Sequence, residues 1–153
     1  MPRRTDRSAR ARSLSRKLAM QALYQWQLTG QSCAELRNQY AGEEGFADAD
    51  GAYFGELLEG VTEAAASFDA QLGTLIDRPV AQLDPVEHAV LLIGLFELTR
   101  RLDVPYRVVI TEGVDLTKRF GATDGHKFVN AVLDRAARAL RAAEQASAAS
   151  SRA

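Results

Sequence analysis

A chain of 153 residues, 46% hydrophobic and 25% charged, is sized for one domain or two small helical subdomains, with enough apolar material for a core without covalent staples. Cys33 is the only cysteine, which excludes an intrachain disulfide and a cysteine-based zinc site. His88 and His126 stand in no metal-ligand spacing, so neither metal nor cofactor is expected.

The net charge of −1 conceals an asymmetry. Residues 1–17 hold seven basic groups (Arg3, Arg4, Arg7, Arg10, Arg12, Arg16 and Lys17) and one acid, Asp6. From totals of 19 and 20, the remainder holds 12 basic and 19 acidic residues. A basic end on an acidic body suggests a polyanionic partner. A solvated terminus, or an organellar transit peptide rich in Arg and Ser, is the alternative. The polyanion reading is favoured because the basic segment runs into a helix instead of stopping at a linker. No apolar run approaches the roughly 20 residues a membrane-spanning helix needs. No signal-peptide core is seen, and a cytoplasmic location is expected.

The periodicity is helical throughout. A first helix is predicted over about Ser8–Leu28, with Leu14, Leu18, Ala22 and Leu23 inward, ending at Thr29-Gly30. A short helix over Cys33–Tyr40 and an acidic loop at 41–51 follow. Third and fourth helices are expected over Ala52–Ser67 and Asp69–Ile76, closed by Asp77-Arg78-Pro79. Asp84-Pro85-Val86-Glu87 is the strongest start signal: an N-cap acid, a proline at the first helical position and a glutamate at the third. It opens a helix to about Leu102 that is apolar nearly all round and expected to be central. Asp103-Val104-Pro105 turns the chain into a helix over Tyr106–Phe120. A last helix is expected over His126–Ala143, after a loop at 121–125 in which Asp124 could act as N-cap.

The resulting fold class is all-α, about seven helices in two small helical subdomains sharing one core. Residues 1–8 are expected as a flexible basic arm and 9–143 as one helical domain, with subdomains 9–80 and 81–143. Residues 144–153 are expected as a frayed tail.

Little points to catalysis. No phosphate loop, nucleophile elbow, dinucleotide fingerprint or zinc-protease signature is present. Glu97 and Glu112 lie on largely apolar helices, and hydrogen bonds to neighbouring backbone explain them better than an acid–base role. RNA-type signals are stronger. Arg10, Arg12, Arg16 and Lys17 can meet phosphates, and Gln21, Tyr24 and Gln25 follow on the same helix with groups suited to unpaired bases. Lys118, Arg119, Phe120, His126 and Lys127 gather around a distant loop that precedes a helix. Tyr24 could equally be a core aromatic.

Several segments in order resemble the NusB family of bacterial antitermination factors: AMQALYQWQ at 19–27, FGELLEGV at 54–61, VEHAVLLIGLFEL at 86–98, VPYRVVITEGVDLTKRFG at 104–121 and HKFVNAVLD at 126–134. The resemblance covers about residues 10–141. It implies an RNA-binding antitermination factor without an active site. The implied partners are boxA-type single-stranded RNA of nascent ribosomal transcripts, a small-subunit ribosomal protein (NusE), and the antitermination complex on RNA polymerase.

By matching position, the resemblance assigns Arg12, Arg16, Lys17, Gln21, Tyr24, Phe120, Asp124, Lys127 and Phe128 to RNA, and Glu87 to the ribosomal-protein interface. Arg10 joins the RNA set as part of the basic segment. Related domains occur fused to RNA cytosine methyltransferases, and some relatives self-associate as homodimers, which leaves a non-catalytic RNA-binding or self-associating module as the alternative. Three departures stand out. Ser13, Leu14 and Ser15 separate Arg12 from Arg16, Ala81 replaces a frequent acid, and Gly113 replaces an alanine, which is expected to loosen its helix by ~1 kcal/mol. Arg12→Ala combined with Arg16→Ala is expected to weaken RNA binding with little effect on thermal stability.

Overall fold

The computed structural model describes residues 3–152, the side chains of residue 5 and of 148–152 excepted. Met1, Pro2 and Ala153, parts of the expected arm and tail, lie outside the described residues. Among the described residues seven α-helices follow one another: α1 (Arg4–Thr29), α2 (Cys33–Ala41), α3 (Gly51–Gly73), α4 (Pro85–Arg100), α5 (Tyr106–Phe120), α6 (Gly125–Leu140) and α7 (Ala142–Arg152). Short 3-10 turns occupy Phe46–Asp48 and Val80–Gln82, and no strand occurs among the described residues.

Helix α1 is longer than its hydrophobic stripe indicates. It starts at Arg4, so residues 4–8, expected as a flexible arm, are helical. No Gly or Pro interrupts 3–29, and Arg and Ala are good helix formers. Gly30 ends the helix in the left-handed region (φ 70°), its N–H donating to the Trp26 carbonyl at 3.0 Å. Ser32 then caps α2 by accepting from the Glu35 N–H at 3.1 Å. The acidic loop is pinned at Phe46, whose ring meets Phe54 edge-on at 5.6 Å.

Two expected helices, 52–67 and 69–76, are one element. Helix α3 passes through with a kink at Ala64 (φ −115°, ψ 17°), because nothing between Gly60 and Gly73 stops it. The chain divides into two compact units, up to Ala66 and from Ser67, so the boundary lies inside α3 and not near residue 80. Contacts within the second unit explain the shift. Asp69 meets His88 Nε2 at 2.6 Å, and Arg135 Nη1 donates to the Leu75 carbonyl at 2.6 Å.

In the first unit, α1 packs against α2 and the Phe46–Asp48 turn, with Leu18, Leu23, Leu36, Phe54, Leu57, Leu58 and Val61 buried. Ser15 Oγ donates to the Asp50 carbonyl at 2.7 Å and joins α1 to the start of α3.

In the second unit, α4, α5 and α6 pack on one another. The Asp84 carboxylate accepts from the Val86 and Glu87 N–H groups, both at 3.1 Å, with Pro85 at the first helical position, as the sequence signal implies. Every residue from Ala89 to Leu98 is buried. Gly94 and Gly113 permit close approach: a β-carbon at either would stand 2.5 or 2.8 Å from a methyl of the buried Leu133. Gly113 thus lets α5 approach Leu133 of α6 closely, a packing reason that stands beside the loosening expected from its helix propensity.

The C-terminal expectation needs the largest correction. Helix α6 ends at Leu140, and the residues expected as a frayed tail form α7. Arg141, between them, is buried. Its guanidinium donates to the carbonyls of Leu98 (2.9 Å), Val104 (3.0 Å), Glu97 (3.1 Å) and Arg101 (3.0 Å), and to Glu144 at 2.5 Å. One planar cation with five donors thus gathers the carbonyls around the last turn of α4, adding to the backbone N–H groups that already reach Glu97 (from Arg101, 3.0 Å) and Arg101 (from Val104, 3.0 Å). Glu144 in turn accepts from the Tyr106 N–H at 3.1 Å, which anchors α7 to the start of α5.

Candidate nucleic-acid interface

The site residues expected on α1 separate into two faces. Helical geometry of 3.6 residues per turn places Arg10, Lys17, Gln21 and Tyr24 within a narrow arc, and Arg12 and Arg16 on another side. Tyr24 is 40% exposed, Arg10 is exposed, and Lys17 and Gln21 are half-buried. A cation, an amide and an open aromatic ring thus succeed one another along one accessible face, and Leu28 continues it. Such a face can neutralise phosphate, donate to base edges and offer a stacking surface.

Arg12 and Arg16 lie over the ring of Tyr53, at 4.6 and 5.5 Å from its centroid. Arg16 is only 3% exposed, whereas Arg12 is half-buried. Arg16 thus belongs to the fold of the first unit, and its replacement must cost stability, contrary to the expectation for the double substitution. Gln25 is turned to structural work as well: it exchanges hydrogen bonds with Gln39 and accepts from the Tyr40 hydroxyl at 3.2 Å.

The second group lies in the second unit. Phe120, at the end of α5, is 37% exposed with the Arg119 guanidinium 4.9 Å from its ring centre. Asp124 is the one non-glycine with positive φ (64°) among the described residues. It occupies the N-cap position of α6 without capping it by its side chain, and its carboxylate lies 3.4 Å from Lys127 Nζ, both exposed. The left-handed backbone at Asp124 fixes the loop and presents the acid and Lys127 to solvent. Phe128 is half-buried, with the Arg78 guanidinium 4.3 Å from its ring centre.

Glu87 is 7% exposed, not an open handle for a partner. Its carboxyl lies so close to Gly125 that a β-carbon there would stand 2.9 Å away. Burial, then the charge of Asp84, push the Glu87 carboxyl above its ordinary range, against the opposing pull of Arg78. Sequence reading missed Tyr53 beneath the two arginines and Arg78 over Phe128. Each pairing joins distant segments and leaves no local signal. No cluster of His, Cys, Asp and Glu suited to a metal occurs among the described residues, and no buried polar side-chain atom there lacks a partner.

These features define an all-helical chain carrying basic and aromatic groups on exposed helix faces, the class of a nucleic-acid-binding adapter. The NusB family profile matches residues 13–138, and the chain belongs to the NusB family. It is 53% identical over 136 residues to the transcription antitermination protein NusB of Halorhodospira halophila, covering 88% of this chain and 87% of that protein. It is 51% identical over 139 residues to the protein of the same name from Pseudomonas fluorescens, covering 91% and 83%. A crystal structure of the antitermination factors NusB and NusE in complex with double-stranded RNA is 28% identical, with a TM-score of 0.75, covering 85% of this chain and 98% of that one. No helix among the described residues is long and apolar enough to cross a membrane.

Proposed function

We propose that this chain is a non-catalytic transcription antitermination factor of the cytoplasm. It binds boxA-type RNA of nascent ribosomal transcripts together with the small-subunit ribosomal protein NusE, and acts on elongating RNA polymerase. The observation that carries this reading is the Lys17–Gln21–Tyr24 face, half-buried at Lys17 and Gln21 and exposed at Tyr24, on a chain of the NusB family. The related complex with NusE and RNA supports the same partners.

On this face Lys17 meets phosphate and Tyr24 stacks on a base, while Gln21 donates to a base edge. Arg12, on the side of α1 over Tyr53, makes its own contact with RNA apart from this face, and Arg16 packs on that ring. Phe120, Asp124, Lys127 and Phe128 form the RNA contacts of the second unit, and the segment around Glu87 faces the ribosomal protein. A titration of boxA RNA against a scrambled RNA, with and without the ribosomal protein, tests the proposal. Preference for boxA, strengthened by the protein, is expected; equal affinity for both RNAs with no coupling contradicts it.

A further inference from the structure

The first two turns of α1 carry arginines that the family resemblance leaves without a role. Arg3, the residue preceding the helix, and Arg7 and Arg10 within it are all exposed. The unbroken helix sets their register. Arg3, Arg10, Lys17 and Tyr24 follow at seven-residue steps, close to two full turns, so they recur on one face. Arg7 flanks that face, and Asp6 is the one acid on it. At 1.5 Å per residue, Arg3 lies about 20 Å from Lys17 along the helix axis.

We propose that Arg3 and Arg7 bind backbone phosphates of the RNA strand flanking boxA, as a collinear extension of the Lys17–Gln21–Tyr24 face. This rests on the proposed RNA function and adds a contact to it. Three properties support it. Arg3 lies in register with the proposed face and Arg7 flanks it. They are arginines, which hold phosphate through paired donors. They also stand at the positive end of the helix macrodipole, where cations are unfavourable unless an anion joins them. A helical extension, unlike a loose arm, spaces its cations in register before RNA arrives and so spends less ordering entropy on binding.

The test uses the full chain, the variant Arg3→Gln with Arg7→Gln, and two RNAs: boxA trimmed to its core, and boxA with several native nucleotides on both sides. Glutamine keeps good helix propensity, and circular dichroism checks that helix content is retained. Affinity is followed over a salt series. On the flanked RNA the variant is expected to lose about 1.4 from the steepness of log K against log salt, two phosphates at about 0.7 each for a single strand. On the trimmed RNA variant and parent should coincide. An unchanged slope on flanked RNA, or an equal loss on both RNAs, overturns the proposal while leaving the antitermination reading intact. Failure of the parent chain to prefer either boxA RNA over a scrambled one overturns both.

Discussion

Replacing Arg141 with methionine removes the guanidinium but keeps an unbranched apolar stem, which separates hydrogen bonding from packing. The parent side chain is 4% exposed and donates to four carbonyls at the end of α4 and in the following turn, and to Glu144. Hydrogen bonds from a charged donor contribute about 1.5–3 kcal/mol each, but these four share one cation and do not add. Stripping one partner from a buried charged network costs about 3–5 kcal/mol, a large share of an ordinary folding stability. For a chain of this size that lowers Tm by roughly 6–20 °C. The assay is paired urea and thermal unfolding followed by circular dichroism, with Arg138→Met as control. Arg138 is 70% exposed and pairs with Asp134 on the helix surface at 2.8 Å, so its loss should cost under about 1 kcal/mol. If Arg141→Met costs no more than Arg138→Met, the clamp does not hold the α4–α5 corner.

Three further outcomes follow from the same geometry. Glu87, whose carboxyl is raised above its ordinary value of 4.5 by burial and then by the charge of Asp84, contributes stability that is complete below that value and lost as pH rises through its higher folded value. Glu87→Gln should therefore be the more stable form at pH 7 by urea unfolding, with the advantage vanishing near pH 4; a variant less stable at pH 7 contradicts this. Gly94→Ala drives a methyl onto Leu133 and should cost about 1–3 kcal/mol, with Leu133→Ala in the same chain relieving part of that loss; strict additivity in the double-mutant cycle would refute the contact. Arg12→Ala and Arg16→Ala should differ in kind. The first weakens RNA binding at nearly constant Tm and the second lowers Tm, so equal melting curves would remove Arg16 from the fold.

Local chemistry marks some elements plainly. Asp84-Pro85 starts α4, Pro105 and Gly121 bracket α5, and Gly30 ends α1, so these boundaries are legible from neighbours in the chain. The continuity of α3 is not, because Ser67 and Asp69 read as a stop and a new start, while the actual break at Ala64 is a kink between good helix formers. Nothing in its neighbours distinguishes Arg141 near the end of the helix expected over His126–Ala143. Its role depends on carbonyls some 40 residues away, which no periodicity announces. The candidate site divides the same way. The Lys17–Gln21–Tyr24 face is visible in the helical spacing. The burial of Arg16 had a signal as well: it lies four residues before Met20 and seven before Leu23, both buried, so it falls on the inner side of its own helix. The ring of Tyr53 beneath it had none.

On the proposed function, the accessible face of α1 selects boxA-type RNA. The most direct measurement is a fluorescence-anisotropy titration at fixed salt of the parent chain and Tyr24→Ala against single-stranded boxA RNA, the same RNA in a duplex, and a scrambled strand. Tightest binding of the parent chain to single-stranded boxA is expected, with a loss of about 1–3 kcal/mol in the variant as one stacked base is released. Equal affinity of the parent for all three RNAs, or a Tyr24→Ala variant that binds boxA as the parent does, would contradict it.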